Sequence, residues 1–355
     1  MLDCGDAVFH GLGQANNCTL PNFTQNQINM KAFLGMGLLG SNFVKAMLQK
    51  GDEVQVWNRT ASKAKALVVH GAKAFENIEE AVAGASIIHV TLKDDATVDE
   101  VLLAASGGFM EGAIIVDHTT TSAKGAIKRT EEWKSKGFTY LHAPVFMGPQ
   151  NALESTGFML ASGDQPTIAK LESELSKMTG KFINFGPTEG KAAGIKLTGN
   201  LFLISLTAGL SDALALAKAH GIKAEEILSL FSNWNPGAMV PARLKKITEG
   251  SFDQPSWELS MARKDAGLML SAAEEAGIPF NSYSRYCQTN GCMDCKRTWQ
   301  PGLECYCERQ FISSFHCESE SLFYFPCVLD VGDFFLGELY KSRSTKTSHK
   351  PALEC

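Results

Sequence analysis

Three glycines, Gly35, Gly37 and Gly40, separate a short apolar run from a segment with helical periodicity. Residues 31–34 are typical of a buried parallel strand, and apolar residues recur at helical spacing over residues 38–48. In such a turn the first glycine allows a sharp bend, the second lets the backbone approach a pyrophosphate, and the third permits close helix–strand packing. Free N–H groups at the helix N-terminus attract the negative charge. The pattern predicts a dinucleotide-binding turn formed by Gly35, Met36, Gly37, Leu38, Leu39 and Gly40.

A second predicted strand, residues 53–57, is followed by Asn58, Arg59 and Thr60. A site specific for NAD usually has an acidic side chain here, which binds the ribose hydroxyls. An amide, a guanidinium and a hydroxyl can instead donate to a 2′-phosphate, and arginine can do so with two parallel bonds. The sequence therefore favours NADP as the cofactor, with NAD possible. The alternative is that Arg59 is an ordinary solvated loop residue.

Length and charge limit the classes of protein that this chain can represent. A chain of 355 residues suggests two domains, and a net charge of −5 argues against a nucleic acid or an anionic membrane as the main partner. No apolar stretch is expected to approach the roughly 20 residues that span a bilayer. Residues 19–286 contain no cysteine, and the start of the chain has no secretory pattern. These features predict a cytoplasmic location.

The order of segments predicts an α/β fold followed by helices. Strand-like and helix-like segments alternate from residue 31 onward, which predicts a Rossmann-type, doubly wound, mostly parallel sheet. From residue 191 the chain is helical and apolar on all sides, as in a domain core or a subunit interface. We expect a disordered leader over 1–30, a nucleotide-binding domain over 31–188, an all-α domain that lacks its final piece over 189–282, and an atypical cysteine-rich tail over 283–355.

An ordered set of motifs resembles the β-hydroxyacid dehydrogenase family, which includes 3-hydroxyisobutyrate dehydrogenase, and is most similar to its glyoxylate/succinic semialdehyde reductase branch. The set comprises the glycine turn and the segments 57–60 (WNRT), 117–122 (DHTTTS), 143–148 (APVFMG), 194–200 (GIKLTGN) and 264–265 (KD). The resemblance covers about residues 31–280. It implies a nicotinamide-dependent oxidoreductase that acts on a small carbonyl compound or hydroxyacid, and a homodimer or homotetramer formed through the helical domain.

Lys196 and Asn200 are the predicted chemical centre. They are four positions apart, so on a helix both side chains project from one face. Interconversion of an alcohol and a carbonyl needs a proton donor at the oxygen, and a buried lysine with a lowered pKa can serve. The resemblance implies that Lys196 is the general acid/base and that Asn200 orients the substrate. The alternative is that Lys196 only extends from a buried helix while Asn200 bonds to a neighbour.

Further site residues follow from the resemblance. Thr119 and Thr120 follow a strand end, where α/β sheets bind ligands, and the family implies Thr119 for the substrate and Thr120 for the cofactor. The same threonines could instead lead into a helix cap. Family positions that contact the cofactor correspond to Leu92, Lys93, Thr97 and Lys264. Each of these could alternatively be a plain surface residue.

The segment Phe146-Met147-Gly148 departs from the family pattern, which usually has a serine and two glycines that bind a substrate carboxylate. One explanation is a substrate that is larger, less acidic or held by apolar packing. The other is that the backbone of the loop is unchanged and the side chains face away.

Other functions stay open at this stage. The altered loop allows a catalytically impaired NADP-binding interaction or sensor protein, and related imine reductases share the architecture. The tail contains Cys292 and Cys295 and then Cys305 and Cys307, but the second spacing is too short for a standard zinc site, so no metal is predicted. Periodicity is lost after about residue 283. We interpret the tail as the product of a shifted reading frame or a mispredicted gene end.

Overall fold

A computed structural model describes residues 30–250 and 255–280 of the chain. The predictions for the leader and for the cysteine-rich tail lie outside these residues. The chain divides into two compact units between Ser211 and Asp212. The division falls inside a long helix, whereas the sequence prediction placed a boundary at residue 188, where the type of element changes.

A six-stranded parallel sheet forms the centre of the first unit. Its strands are β1 (Met30–Leu34), β2 (Glu53–Trp57), β3 (Lys73–Ala74), β4 (Ile87–Val90), β5 (Ile114–Asp117) and β6 (Thr139–His142). The strand order is β3-β2-β1-β4-β5-β6, and each neighbouring pair is parallel. This order is that of a dinucleotide-binding sheet in which the chain reverses direction beside β1. The predicted Rossmann-type sheet is confirmed.

Helices connect the strands and cover both faces of the sheet. They are α1 (Leu38–Gln49), α2 (Ala61–Lys65), α3 (Ile78–Val82), α4 (Asp95–Ala105), α5 (Ala123–Ser135), α6 (Pro149–Glu154) and α7 (Gln165–Ser176). Helices α4 to α7 were not predicted from the sequence, although α4, α5 and α7 have side-chain caps. Each of these three begins after a side chain that accepts a backbone N–H of the first turn: Asp94, Ser122 and Asp164, respectively.

The sheet separates two apolar layers. Phe33 points into the layer that contains Phe43 of α1 and Leu171 of α7, whereas Leu34 points into the layer that contains Leu102 of α4. Adjacent side chains of a strand face opposite ways, so β1 contributes to both layers. Strands β4 and β5 are buried along their whole length, as strands in the middle of a parallel sheet usually are.

A second, smaller sheet follows the parallel sheet along the chain. It consists of β7 (Val145–Phe146), β8 (Phe158–Ala161) and β9 (Lys181–Asn184). Strand β7 pairs antiparallel with β8, which pairs parallel with β9. Since only two residues of β7 pair, the sequence offers no recognisable strand pattern there.

Helices follow the second sheet and continue into the second unit. They are α8 (Lys191–Ala219), α9 (Ala224–Asn233), α10 (Val240–Glu249) and α11 (Leu259–Glu275). The start of α8 packs closely, with Ala192 and Ala193 buried and with Ser162 Oγ accepting the N–H of Ala192. Among the described residues that follow the second sheet, only helices and turns are assigned, in agreement with the predicted helical region.

Helix α8 corrects one expectation. It is long and apolar enough, by length and composition alone, to cross a membrane, whereas no stretch of that kind was expected. The reason is that Ser, Thr and Gly interrupt its apolar residues in the sequence without making the 29-residue helix polar on average. The core helix of a soluble protein passes the same test, so no membrane assignment follows from it.

Candidate active site

A cavity of about 750 Å³ opens at the carboxyl edge of the parallel sheet, within the first unit. It is bordered by the glycine turn after β1, the loop after β2, the loop after β4 and the segment after β5. Predicted cofactor residues that line it are Gly35, Gly37, Leu38, Leu39, Asn58, Arg59, Thr60, Leu92, Lys93, Thr97 and Thr120. Of the predicted substrate residues, Thr119, Met147 and Lys196 line it as well.

The glycine turn has the local geometry that a dinucleotide requires. Gly35 has a φ of +101°, and a side chain there would overlap the carbonyl oxygen of Thr91. A Cβ on Gly37 would instead meet nothing, so the backbone at the start of α1 is open to a ligand. No acidic side chain lies in the first turn of α1, and Gly37 provides no side-chain cap. The N–H groups of that turn therefore fit a pyrophosphate.

Met36 and Gly40 support this turn without lining the cavity. Met36 is buried, and its backbone N–H donates to Asn58 Oδ1 at 2.9 Å. Gly40 lies against the carbonyl of Gly35, where a side chain would not fit. Both residues thus set the shape of the turn, as close helix–strand packing requires.

Two cations flank the cavity beside the end of β2. Arg59 is exposed and lines the cavity, and Lys63 lies one turn into α2 on the same wall. Asn58 is occupied within the loop, because its amide also donates to the carbonyl of Thr60 at 3.0 Å. Arg59 and Lys63 are therefore the groups best placed for an anion. The sequence analysis missed Lys63, although its spacing of three from Thr60 could have indicated it.

The ends of β4 and β5 are joined by hydrogen bonds from Thr119. Its Oγ1 accepts the N–H of Leu92 at 3.0 Å, and its own N–H donates to Asp117 Oδ1 at 2.8 Å. Thr119 is 1% exposed, while Thr120 beside it is exposed and lines the cavity. The helix cap is Ser122, so the two threonines precede the cap. Within the described part of the chain, Thr91 lines the cavity and its buried hydroxyl has no hydrogen-bond partner.

Buried histidines lie beneath this edge. His118 Nε2 is 3.0 Å from His89 Nδ1, and His118 Nδ1 is 2.9 Å from the carbonyl oxygen of Ala143. Burial lowers the pKa of His118 to about 4 and that of His89 well below its usual value. Although His118 lines the cavity, both of its ring nitrogens are engaged in the interior and the ring is neutral near pH 7. It is therefore poorly suited to exchange a proton with a ligand.

Lys196 has the properties of a proton donor and acceptor. It is 8% exposed, and its Nζ donates to Asn200 Oδ1 at 2.8 Å, as the spacing of four on α8 indicates. Burial lowers the pKa of Lys196 to about 8. The same Nζ lies 4.0 Å from the centre of the Phe146 ring. A lysine with this pKa exchanges protons near physiological pH.

A second cavity, of about 790 Å³, adjoins the first. It is lined by residues of β7, α6, β8 and the start of α8, including the predicted substrate residues Phe146, Met147, Gly148, Lys196 and Asn200. Met147 and Lys196 line both cavities. Lys196 thus stands at the wall shared by the cavity at the sheet edge and a second, more apolar one of similar volume.

Lys264, the remaining predicted cofactor residue, lies on α11 in the second unit, where its Nζ is 2.9 Å from Asp265 Oδ1. Among the described residues, no group of three or more His, Cys, Asp or Glu side chains could hold a metal ion.

Comparison with known proteins assigns the first domain. Residues 31–186 match the family described as the NAD binding domain of 6-phosphogluconate dehydrogenase. The chain is 28% identical over 253 residues to 2-(hydroxymethyl)glutarate dehydrogenase of Eubacterium barkeri, covering 70% of this chain and 83% of that protein. Residues 31–186 therefore form an NAD(P)-binding domain, and the chain is distantly related to a dehydrogenase of the β-hydroxyacid type.

Two other similarities are informative. The chain is 28% identical over 271 residues to the human cytokine-like nuclear factor N-PAC, covering 75% of this chain but only 49% of N-PAC. The imine reductase of Myxococcus stipitatus, solved in complex with NADP+, superposes with a TM-score of 0.73 at 22% identity, covering 80% of this chain and 99% of that one. At that identity the likeness establishes the fold.

Alanine should have different effects at the first two glycines of the turn. Gly35→Ala should lower the free energy of unfolding by at least about 1–2 kcal/mol, because of its positive φ and the overlap with Thr91. Gly37→Ala should leave stability nearly unchanged and weaken NADPH binding by about tenfold or more, the equivalent of one charge-assisted hydrogen bond. Thermal unfolding and NADPH fluorescence titration measure the two effects. Equal NADPH affinity in Gly37→Ala and the unaltered chain would contradict the assignment of the turn.

Proposed function

We propose that the chain is an NADP-preferring oxidoreductase that transfers hydride between nicotinamide and a small carbonyl or hydroxy compound, with Lys196 as the general acid/base. One observation carries the proposal: Lys196 is buried, its ammonium is bonded to Asn200, and the residue lines both cavities. The relationship to 2-(hydroxymethyl)glutarate dehydrogenase supports the class of reaction.

Each group of residues in the site has a separate proposed role. The first turn of α1 and Arg59 would hold the dinucleotide, and nicotinamide bound there would supply or accept the hydride. Lys196 would donate a proton to the substrate oxygen during reduction and remove it during oxidation. Asn200 accepts one N–H of Lys196 and so fixes the direction of the remaining two. The carbonyl would approach Lys196 from the wall that both cavities share.

A second candidate is an NADP-binding interaction or sensor protein without useful catalysis. The Phe146 ring over Lys196 favours testing it, as does the similarity to N-PAC, a nuclear factor by name. A panel that contains glyoxylate, succinic semialdehyde, uncharged aldehydes and a cyclic imine separates the candidates when run with NADPH and with NADH. The imine is included because the chain shares the fold of an imine reductase. Tight NADPH binding without turnover of any compound would favour the sensor.

The lowered pKa of Lys196 predicts opposite pH dependences for the two directions of reaction. The ammonium form is the donor for reduction, so the rate of carbonyl reduction should fall as pH rises through about 8. The amine is the acceptor for oxidation, so alcohol oxidation should rise over the same range. Initial rates with NADPH or NADP+, measured from pH 6 to pH 10, check both signs.

The variant Lys196→Ala tests whether Lys196 causes this pH dependence. Its turnover should fall by about 10²–10⁴-fold and lose the inflection near pH 8, while NADPH binding stays nearly intact. Turnover equal to that of the unaltered chain would exclude Lys196 from proton transfer.

Arg59 should set the preference between the two cofactors. Loss of one charge-assisted contact to the 2′-phosphate, about 1.5–3 kcal/mol, should make Arg59→Ala bind NADPH about 10- to 100-fold more weakly and NADH equally well. Lys65→Ala is the control, because Lys65 is a nearby cation on α2, just after the loop that carries Arg59, but pairs with Glu76 and does not line the cavity. Parallel titrations with NADPH and NADH measure the effect. A uniform loss of affinity for both cofactors would show that Arg59 does not recognise the phosphate.

We also propose that the chain forms a homodimer or homotetramer in which a second copy covers the middle of α8. Leu201 and Ile204 are 66% and 68% exposed, and Phe202, Leu203 and Leu206 beside them are about half exposed. Monomeric soluble proteins rarely expose an apolar patch of this extent. Light scattering should therefore give a multiple of the monomer mass, and Ile204→Glu should lower it. Val69→Glu, at an exposed position on a 3₁₀ turn, should not. A monomer at micromolar concentration, or recovery only with membranes, would contradict the proposal.

A further inference from the structure

The Phe146 ring covers one side of the proposed proton donor. Its centre lies 4.0 Å from Lys196 Nζ, within the range of a cation–π contact. Phe146 is the first residue of the segment that departs from the family pattern, and the structure excludes the interpretation that its side chain faces away from the site. The ring is therefore part of the wall that a substrate beside Lys196 would contact.

Gly199 makes room for this ring. A Cβ built on Gly199 would overlap the far edge of Phe146. Gly199 lies between Lys196 and Asn200 on α8, so the ring rests on the helix at the one-turn interval that separates the two polar side chains. A glycine inside a helix is less favourable than an alanine, so its presence here is compensated by the space it leaves for the ring. The ring at position 146 thus occupies the space that a side chain at position 199 would need, and the two residues are sterically complementary.

The loop after β7 has few donors left for a carboxylate. The N–H of Gly148 donates to Asn151 Oδ1 at 2.9 Å. Pro149, the first residue of α6, has no N–H. Phe146 supplies a ring where a hydroxyl would have been expected to bind an anion. A substrate carboxylate placed against Gly148 and Pro149 would lose water without gaining a backbone hydrogen bond from either residue.

The second cavity is correspondingly apolar. Phe146, Met147, Phe158, Phe202 and Leu203 contribute side chains to its lining. Among the described residues that border it, Lys196 is the single cation; its Nζ donates one N–H to Asn200 and lies against the Phe146 ring. A group bound here is stabilised by burial of apolar surface, and no second cation of the described lining offsets a negative charge.

We propose that the substrate of this site is an uncharged aldehyde or ketone with a branched or aromatic apolar group, and that Phe146, seated on Gly199, excludes carboxylate-bearing substrates. This inference rests on the proposed function and specifies its substrate class. The carbonyl oxygen reaches Lys196, and the apolar group lies in the second cavity against Phe146 and Met147. The hydroxyacid substrates implied by the family resemblance would then be poor ones.

Two aldehydes of the same size test the selection. Succinic semialdehyde carries a carboxylate where 4-methylpentanal carries an isopropyl group, and the two are otherwise alike. With NADPH, the unaltered chain should reduce 4-methylpentanal with a kcat/KM about tenfold or more above that for succinic semialdehyde. Phe146→Ser should shift this ratio toward the acid by about tenfold or more. A preference of the unaltered chain for succinic semialdehyde would overturn the proposal.

Two further variants separate selection from damage to the fold. Gly199→Ala should move the ring off Lys196 without removing it and should shift the ratio in the same direction as Phe146→Ser. Phe158→Ser is the control, because Phe158 pairs with Phe146 across β7 and β8 and lines the same cavity. It should change the ratio less than either of the other variants. If Phe146→Ser unfolds, as thermal unfolding would reveal, Gly199→Ala decides alone; unchanged ratios in the folded variants would overturn the role of the pair.

Equilibrium binding distinguishes failure of this inference from failure of the proposed function. The amides 4-methylpentanamide and succinamate match the two aldehydes in shape but cannot be reduced by hydride transfer. Calorimetry of the chain saturated with NADP+ should give tighter binding of 4-methylpentanamide. If neither aldehyde is turned over but this order of binding holds, the preference for an apolar group over a carboxylate is supported and the proposed reaction is contradicted. Tighter binding of succinamate would overturn the selection, whether or not turnover is observed.

Discussion

A series of backbone hydrogen bonds along the carboxyl edge of the sheet fixes the position of every loop of the site. Beyond the paired residues of the strands, Gly35 donates to the carbonyl of Trp57, Thr91 to that of Leu34, His118 to that of Val90, and Ala143 to that of Asp117. Each bond joins the first residues of one loop to the end of the neighbouring strand. The glycine turn, the proposed phosphate-binding loop and the loop that leads to Phe146 are therefore positioned by one continuous parallel ladder.

The proposed chemistry depends on how this edge meets the start of α8. Below the sheet edge lie the buried, neutral histidines His89 and His118, whereas α8 carries the cation, Lys196. Ala192 and Ala193 are buried within the first unit at the start of the helix, and Lys196 follows about one turn later. The desolvation that lowers the pKa of Lys196 is thus a consequence of helix packing, and no neighbouring cation is among its causes. Substrate selection is set in the same place, since Phe146 packs on the same helix.

Local patterns in the sequence predicted much of the fold and part of the site. The strands were predictable because continuous apolar runs bounded by glycine are typical of a parallel sheet, and the hydrogen bond between Lys196 and Asn200 follows from a spacing of four. Helices α4 to α7 were not predicted, although Asp94, Ser122 and Asp164 were available as capping signals for three of them. The packing of the Phe146 ring against Gly199 brings together residues more than fifty positions apart. No local pattern encodes such a contact.

The buried histidines give the fold a sensitivity to acid that does not depend on the site chemistry. His118 has a pKa of about 4 in the folded chain, whereas an unfolded histidine titrates near 6.5. Between these values the unfolded chain binds more protons than the folded chain. Each such ring therefore lowers the free energy of unfolding as the solution is acidified from about pH 6.5 toward pH 4. His89 and His142, whose pKa values burial also lowers, act in the same direction. Mildly acidic compartments would thus be unfavourable surroundings for this domain.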